Sequence, residues 1–392
     1  MVPKDWSPVY LNDIADKIMV GIASAATHAY TDNGIRMLRN LNIKEGFIDD
    51  SDILFVNEEY ELQHKNKRLK AGDILTVRTG YPGLSAVVPK KYDNAQCFTS
   101  LITRLKEEVA LPDYICRFIN SEYGKKYISS GEAGGAQKNV NASILKKMLI
   151  PLPSLPEQRK IAKILSTWDK AISTTVRLID NSKRQKKALM QQLLTGKKRL
   201  LDDSGKPFEG EWSKVELGKL LDYKQPTPYL VKSTDYSDEY STPVLTAGKT
   251  FILGYSNEDF GIFEEELPAI IFDDFTTASK FVDFPFKAKS SAMKILVAKQ
   301  GVFIKFVYEA MQVMNYPVGG HQRHWISIFA NLVIGLPSLS EQQKIASVLS
   351  NADKEIQLLQ QQLADLKQEK KALMQQLLTG KRRVKVDDKE VA

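Results

Sequence analysis

The chain has 392 residues, 43% hydrophobic and 26% charged, an ordinary soluble composition with room for two or three domains, each with a core of its own. Its first residues lack the apolar run of a signal peptide, no stretch nears the roughly 18–20 apolar residues that span a bilayer, and two cysteines, Cys97 and Cys116, make no disulfide framework; a cytoplasmic protein away from membranes is expected. The formal net charge is +8, but it is unevenly placed, with about +2 on residues 1–150, +9 on 151–200, −5 on 201–334 and +2 on 335–392, so the excess sits on one segment and net charge alone does not establish nucleic-acid binding.

Residues 1–152 read as a first domain of α+β type with many short strands. Lys70 to Gly80 gives a turn, a β-branched strand and a loop broken by Gly80, Pro82 and Gly83. Asp113 to Lys126 has helical spacing. Residues 153–199 read as one long helix. Pro153 punctuates its entry, Ser154 and Glu157 have capping-box spacing, and Gly196 followed by lysines marks its end. Roughly 40 residues at 1.5 Å each give about 60 Å, too long to be enclosed by one globular core, so a partner helix is required. Residues 200–212 read as a polar linker and 213–336 as a second domain of strands and turns, with Ile270, Ile271 and Phe272 as a buried strand. Residues 337–384 form a second long helix, and 385–392 a charged, frayed tail.

The two long helices are copies. Pro153-Ser-Leu-Pro-Glu-Gln158 matches Pro337-Ser-Leu-Ser-Glu-Gln342, and residues 186–197 are identical to 370–381; one offset of about 184 residues aligns both without a gap. In the second copy Ile356, Leu359, Leu363, Leu366, Lys370, Leu373 and Leu377 follow the three–four spacing of a coiled-coil seam. The first copy repeats the register with more polar residues, at Ile172, Thr175, Ile179, Ser182, Lys186, Leu189 and Leu193. Equal length and register predict that the helices pair with each other, rather than each packing on its own domain alone. The repeat extends weakly upstream, Trp6 echoing Trp212, and Gly134-Gly135-Ala136-Gln137 echoing Gly319-Gly320-His321-Gln322. Between these landmarks the copies diverge, as expected of one scaffold with two different surfaces.

Motifs for chemistry are missing. Ala247-Gly248-Lys249-Thr250 echoes a phosphate loop, but Pro243 stands where its first glycine belongs. Carboxylate–lysine pairs of nuclease type fall only on the second helix and the tail. His321 and His324, the only close histidine pair, have no cysteine nearby, so no metal site is expected, and no cofactor either.

With these residues in view the chain resembles the specificity subunit of type I restriction–modification enzymes. The resemblance rests on Trp6 and Trp212, Leu69-x-x-Gly72-Asp73-Ile74-Leu75, Arg78-x-Gly80, the Gly-Gly-x-Gln loops at 134 and 319, and above all the doubled Pro-x-Leu-x-Glu-Gln at 153 and 337. Each motif is weak alone; their doubled order covers essentially the whole chain. The resemblance implies two target-recognition domains reading the halves of a bipartite DNA site, and an antiparallel coiled coil that sets their spacing. It also implies a non-catalytic subunit that docks two methyltransferase subunits and, through them, motor–nuclease subunits. Adenine methylation, translocation and cleavage would belong to those partners. A coiled-coil scaffold without a DNA role is the alternative.

Loops on a fixed scaffold are the expected place for base contacts. The candidates in the first domain are Arg36, Arg39, Arg78, Thr79, Tyr81, Gln137, Lys138 and Asn139. In the second they are Lys249, Thr250, Tyr255, Thr276, Thr277, Lys280, His321, Gln322, Arg323 and His324. Arginine suits guanine, and glutamine or asparagine suits adenine, through bidentate hydrogen bonds. Glu157, Gln158, Glu341 and Gln342 are the candidates for partner docking, because the duplicated motif offers two equivalent sites.

Overall fold

A computed structural model describes residues 3–131, 139–248, 250–314 and 324–386. The chain forms two compact units, Met1–Val176 with Gln362–Ala392, and Arg177–Gln361. The division runs through both long helices. Each unit therefore holds one domain, the first half of the helix that follows it, and the second half of the other helix.

In the first unit the main strands are β1 (Ser7–Tyr10), β2 (Ala15–Val20), β3 (Tyr30–Thr31), β4 (Ile35–Leu38), β5 (Leu54–Val56), β6 (Ile74–Thr76), β7 (Ser85–Val87), β8 (Gln96–Cys97), β9 (Leu101–Leu105) and β10 (Leu149–Leu152). One sheet has the antiparallel order β2-β9-β6-β7. A second has the order β8-β4-β5-β3 with β8 parallel to β4, and β1 pairs with β10. β6 is buried throughout, because Ile74 packs into one core and Leu75 into another on the opposite face. The helical spacing over Asp113–Lys126 belongs to two helices, α1 (Pro112–Asn120) and a second over Glu122–Gly131. The chain breaks at Ser121, whose hydroxyl accepts from the Gly124 amide. Gly124 lies so close to the Phe118 and Ile119 carbonyls that a Cβ would stand 2.3 Å from the latter. α1 packs Tyr114, Phe118 and Ile119 into a core shared with Ile74, Leu101 and Leu105.

The second unit repeats this plan with β11 (Ser213–Glu216), β12 (Leu221–Lys224), β13 (Thr242–Leu245), β14 (Ile252–Ser256), β15 (Ala269–Asp273), β16 (Ser279–Val282), β17 (Lys287–Ala288), β18 (Met293–Ala298) and β19 (Val333–Leu336). Its antiparallel sheet is β12-β18-β15-β16. Its smaller sheet is β14-β13-β17 with β17 parallel to β13, and β11 pairs with β19. The antiparallel sheet and the pairing of first and last strands repeat the first unit, and the smaller sheet repeats its parallel pair. The expected buried strand Ile270–Phe272 is its centre, at 0–1% exposure. Residues 200–212, read as a polar linker, carry hydrogen-bonded turns of their own within this unit. Leu201 bridges Pro207, the Phe208 amide donates to the Leu200 carbonyl, and Asp202 caps the turn at Ser204 and Lys206.

The long helices, α2 (Leu155–Leu193) and α4 (Leu339–Leu377), pair antiparallel. In the second unit Ser182 meets Glu355 and Lys186 meets Asp353. In the first, Asp169 meets Lys370, and Ile161 and Leu165 share a core with Met374 and Leu377. The polar members of the seam are satisfied rather than loose: Thr175 Oγ1 donates to the Ala171 carbonyl and Ser182 Oγ to Glu355. Gly196 and Gly380 take left-handed φ of +69° and +73°, ending the two copies alike.

Candidate nucleic-acid interface

Two connections recur at equivalent places in the two domains. The first is the hairpin that joins an inner strand of the antiparallel sheet to its edge strand, β6–β7 in one unit and β15–β16 in the other. The second is the segment that leaves β4 or β13, the strand that carries the parallel pairing of the smaller sheet. Short strands hold these connections at their bases and leave the tips open to a ligand.

In the first unit the β6–β7 tip carries Arg78, Thr79 and Tyr81. The Val140 amide donates to the Arg78 carbonyl at 3.0 Å, and Thr79 bridges Asn139, so the segment entering the Ala142–Lys146 helix is stitched to the tip. Asn40, just after β4, donates from Nδ2 to Thr79 Oγ1 at 3.1 Å and accepts from Ser100 Oγ at 2.8 Å. Tyr81 is 78% exposed, a large amphipathic ring on the surface of the tip. The structure thus brings Arg78, Thr79, Tyr81 and Asn139 together. Arg36 and Arg39 are engaged elsewhere. Arg36 donates to the Lys91 carbonyl and stands over the Tyr92 ring, while Arg39 is paired with the Asp52 carboxylate at 2.7 Å and with its carbonyl. Gln137 and Lys138 lie outside the described residues.

In the second unit Thr276 and Thr277 form the β15–β16 tip and Lys280 is exposed on β16. Asp273 builds the turn, Oδ1 accepting from the Phe275 amide and Oδ2 from Thr276 Oγ1 at 2.6 Å. Thr277 has φ +60°, a strained conformation for a β-branched residue, and Phe275 is 53% exposed beside it. Thr250 lies in the β13–β14 turn, where its carbonyl accepts from Thr246 Oγ1, and Tyr255 is half-buried on β14. Lys249, His321, Gln322 and Arg323 lie outside the described residues. So does the side chain of His324, whose backbone opens a short helix, His324–Ser327.

Glu157, Gln158, Glu341 and Gln342 are 3%, 0%, 1% and 1% exposed, and this corrects the expectation that they face a partner. Gln158 Oε1 accepts from the Leu111 amide that opens α1, and its Nε2 donates to the Pro153 carbonyl. Gln342 does the same with Phe303 and Pro337. The Glu157 carboxylate, instead of serving a capping box, accepts from Trp6 Nε1 and from Arg383 in a two-pronged pair at 2.7 and 2.8 Å. Glu341 accepts from Trp212 Nε1 and from Arg199 at 2.6 and 2.7 Å. The motif is therefore a clamp that ties a domain's first strand and the end of the partner helix to the start of the helix that follows the domain. A carboxylate that is 1–3% exposed and already accepts from three donors has little left for docking.

A family model for the type I restriction modification DNA specificity domain matches residues 3–181 and 209–368. The chain belongs to that family. Among curated relatives of these specificity subunits, it is 46% identical over 175 residues to the EcoR124I/EcoR124II specificity subunit of Escherichia coli, a match covering 42% of each chain and so well under two thirds of that protein. It is 27% identical to the putative MjaX specificity subunit of Methanocaldococcus jannaschii over 98% of this chain and 95% of that one. The fold is shared with the S subunit of a type I system from M. genitalium, with a TM-score of 0.64 at 14% identity over 96% of both chains. It is also shared with the HsdS subunit from Thermoanaerobacter tengcongensis, with a TM-score of 0.51 at 17% identity over 97% of this chain and 98% of that one.

Three features of this specificity subunit escape the motifs used to recognise the family. Asn40 is one, since nothing in its sequence surroundings marks it as the link between two loops. Arg199 and Arg383 are another, although the 184-residue offset that aligns the helices also aligns them. The third is electrostatic: the second domain's acidity is partly turned inward. Asp274, 3% exposed, accepts from the Trp325 amide and lies 3.6 Å from Lys294 Nζ. In the first domain Arg68 chiefly holds the Glu61 carboxyl below the usual carboxylate range, against the opposing effect of burial. Burial pushes the thiols of Cys97 and Cys116 up to about 12, which leaves both as protonated core residues at neutral pH.

Proposed function

We propose that this chain is the sequence-reading, non-catalytic subunit of a type I restriction–modification complex. Each unit reads one half of a bipartite DNA site through the tips of its equivalent hairpins. The observation that carries the reading is the repeated strand order of the two domains with unlike tips, Arg78-Thr79-Gly80-Tyr81 in one and Asp274-Phe275-Thr276-Thr277 in the other. A scaffold without a DNA role has no need of two divergent surfaces in one frame. Methyltransferase subunits would dock in two copies on the exposed faces of the α2–α4 pair and the adjoining domain surfaces, with motor–nuclease subunits joining through them. In the first unit an apolar groove of about 290 Å³, lined by Pro8, Phe118, Tyr123, Leu149 and Pro151, lies on such a surface. The buried Glu–Gln pairs would act by fixing it.

The length of the helical pair would set the spacer between half-sites. A four-residue insertion between Thr174 and Ser182 adds about 6 Å of rise, and one base pair is about 3.4 Å along the axis. The preferred spacer should lengthen by about one to two base pairs with the half-site sequences unchanged, as read by genome-wide adenine-methylation mapping beside the partner methyltransferase. Persisting methylation with an unchanged spacer would refute the helices as the ruler.

A further inference from the structure

We propose that the aspartate–lysine couple on each helical stem is a two-signed seat, able to hold a domain helix by a cation on its aspartate or by an anion on its lysine. The couple is duplicated. Asp169 and Lys370 form it in the first unit, with Lys370 Nζ 2.6 Å from Asp169. Asp353 and Lys186 form it in the second, with Lys186 Nζ 2.7 Å from both Asp353 oxygens. All four residues align under the 184-residue offset.

The helices resting on the seats carry opposite charges at one position. The register is fixed by the amides of Leu111 and Phe303, which donate to Gln158 and Gln342. Six residues further on stand Arg117 of α1 and Glu309 of α3 (Ile304–Gln312). Arg117 Nη1 donates to Asp169 at 2.6 Å, so the first seat is used through its aspartate. Glu309, with no exposed surface, lies 3.4 Å from Lys186 and 3.0 Å from Lys305, so the second is used through its lysine. One turn before the reversed charge the helices differ again, with Asp113 on α1 and Lys305 on α3. A buried carboxylate needs this compensation, since removing its partner leaves an unpaired charge in a place of low polarity. Because either stem offers both signs, the same frame can carry domains whose underside charge is reversed, without a change in α2 or α4.

The test moves the charge pattern of α3 onto α1 in the full-length chain, as Asp113→Lys with Arg117→Glu, and measures thermal unfolding of the first unit. Asp169→Asn and Lys370→Met are made in both backgrounds. In the native background loss of Asp169 should be the costlier change, lowering Tm by about 3–6 °C against about 1–2 °C for Lys370→Met. In the transplanted background the order should reverse, because the carboxylate introduced on α1 would depend on Lys370. An unchanged order overturns the proposal. Should the transplanted chain fail to fold, the reciprocal Lys305→Asp with Glu309→Arg in the second unit is expected to move the dependence from Lys186 to Asp353. An unchanged dependence there, or failure of both transplants to fold, also overturns it. The readout involves neither DNA nor a partner subunit, so its outcome is separate from the fate of the proposed function.

Discussion

The two units are alike in the clamps that tie each domain to its long helix and unlike at the tips of their hairpins. The clamp hydrogen bonds of Glu157 and Glu341, and those that Gln158 and Gln342 make to a helix-opening amide and a proline carbonyl, repeat to within 0.1 Å. The hairpin tips share a place in the fold and almost nothing else, with an arginine stitched to the chain at Val140 in one and an aspartate-built turn with a strained threonine in the other. Duplication has preserved the clamp contacts that fix the frame, while the hairpin tips and the charge beneath the domain helices, at Arg117 and Glu309, have diverged, a division of labour that a rigid scaffold allows.

If the frame is shared, breaking the clamp should cost the two units alike. Glu157→Ala strands the Trp6 indole N–H and the Arg383 guanidinium, and Glu341→Ala strands Trp212 and Arg199. Each should destabilise its own unit by about 2–4 kcal/mol, and calorimetry should show one transition moving in each variant. A large loss in one and none in the other would show that the clamp is a duplicated sequence without a duplicated role.

A smaller effect should separate the units by pH. The folded Glu61 carboxyl titrates below its ordinary value of 4.5, so its contribution to stability is fully present above that pH and is lost as the pH falls through the depressed value. Arg68→Met removes the chief cause of the depression. The acid-unfolding midpoint of the first unit should then move to higher pH, with the second unit's unchanged, as followed by circular dichroism against pH. The smallest effect concerns the tips themselves. Thr277→Gly relieves the left-handed strain and should stabilise the second unit by about 1 kcal/mol in a denaturant titration. A loss of stability would mean that the threonine side chain contributes more than its backbone costs.

Much of the frame is legible from residues. The repeat, the seam register, the glycine ends of both helices and the buried strand at Ile270–Phe272 all follow from spacing, because helices and buried strands impose periods of their own. The clamp is not, because Ser154 and Glu157 have capping-box spacing, while the groups that claim the carboxylate, Trp6 and Arg383, lie 151 and 226 residues away. The segment 200–212 reads as a polar linker because its middle is ordered by turn hydrogen bonds, which leave no period in the sequence, while only its ends, Leu200 and Trp212, pack on the second core. At the tips, sequence can nominate Arg36 and Arg39 by chemistry. It cannot show that Lys91, Tyr92 and Asp52 already engage them, nor that Asn40 ties its loop to Thr79.

The central claim is that each unit reads its own half-site, and genome-wide mapping of adenine methylation tests it directly. Chains carrying Arg78→Ala or Thr276→Ala would be compared with the unaltered chain in cells that supply the partner methyltransferase. Arg78→Ala should relax or change one half of the methylated motif, and Thr276→Ala the other half, each weakening discrimination at the affected position by about 10- to 100-fold and leaving the spacer fixed. If both substitutions alter the same half, or either alters both halves together, the two domains do not read separately and the account is wrong.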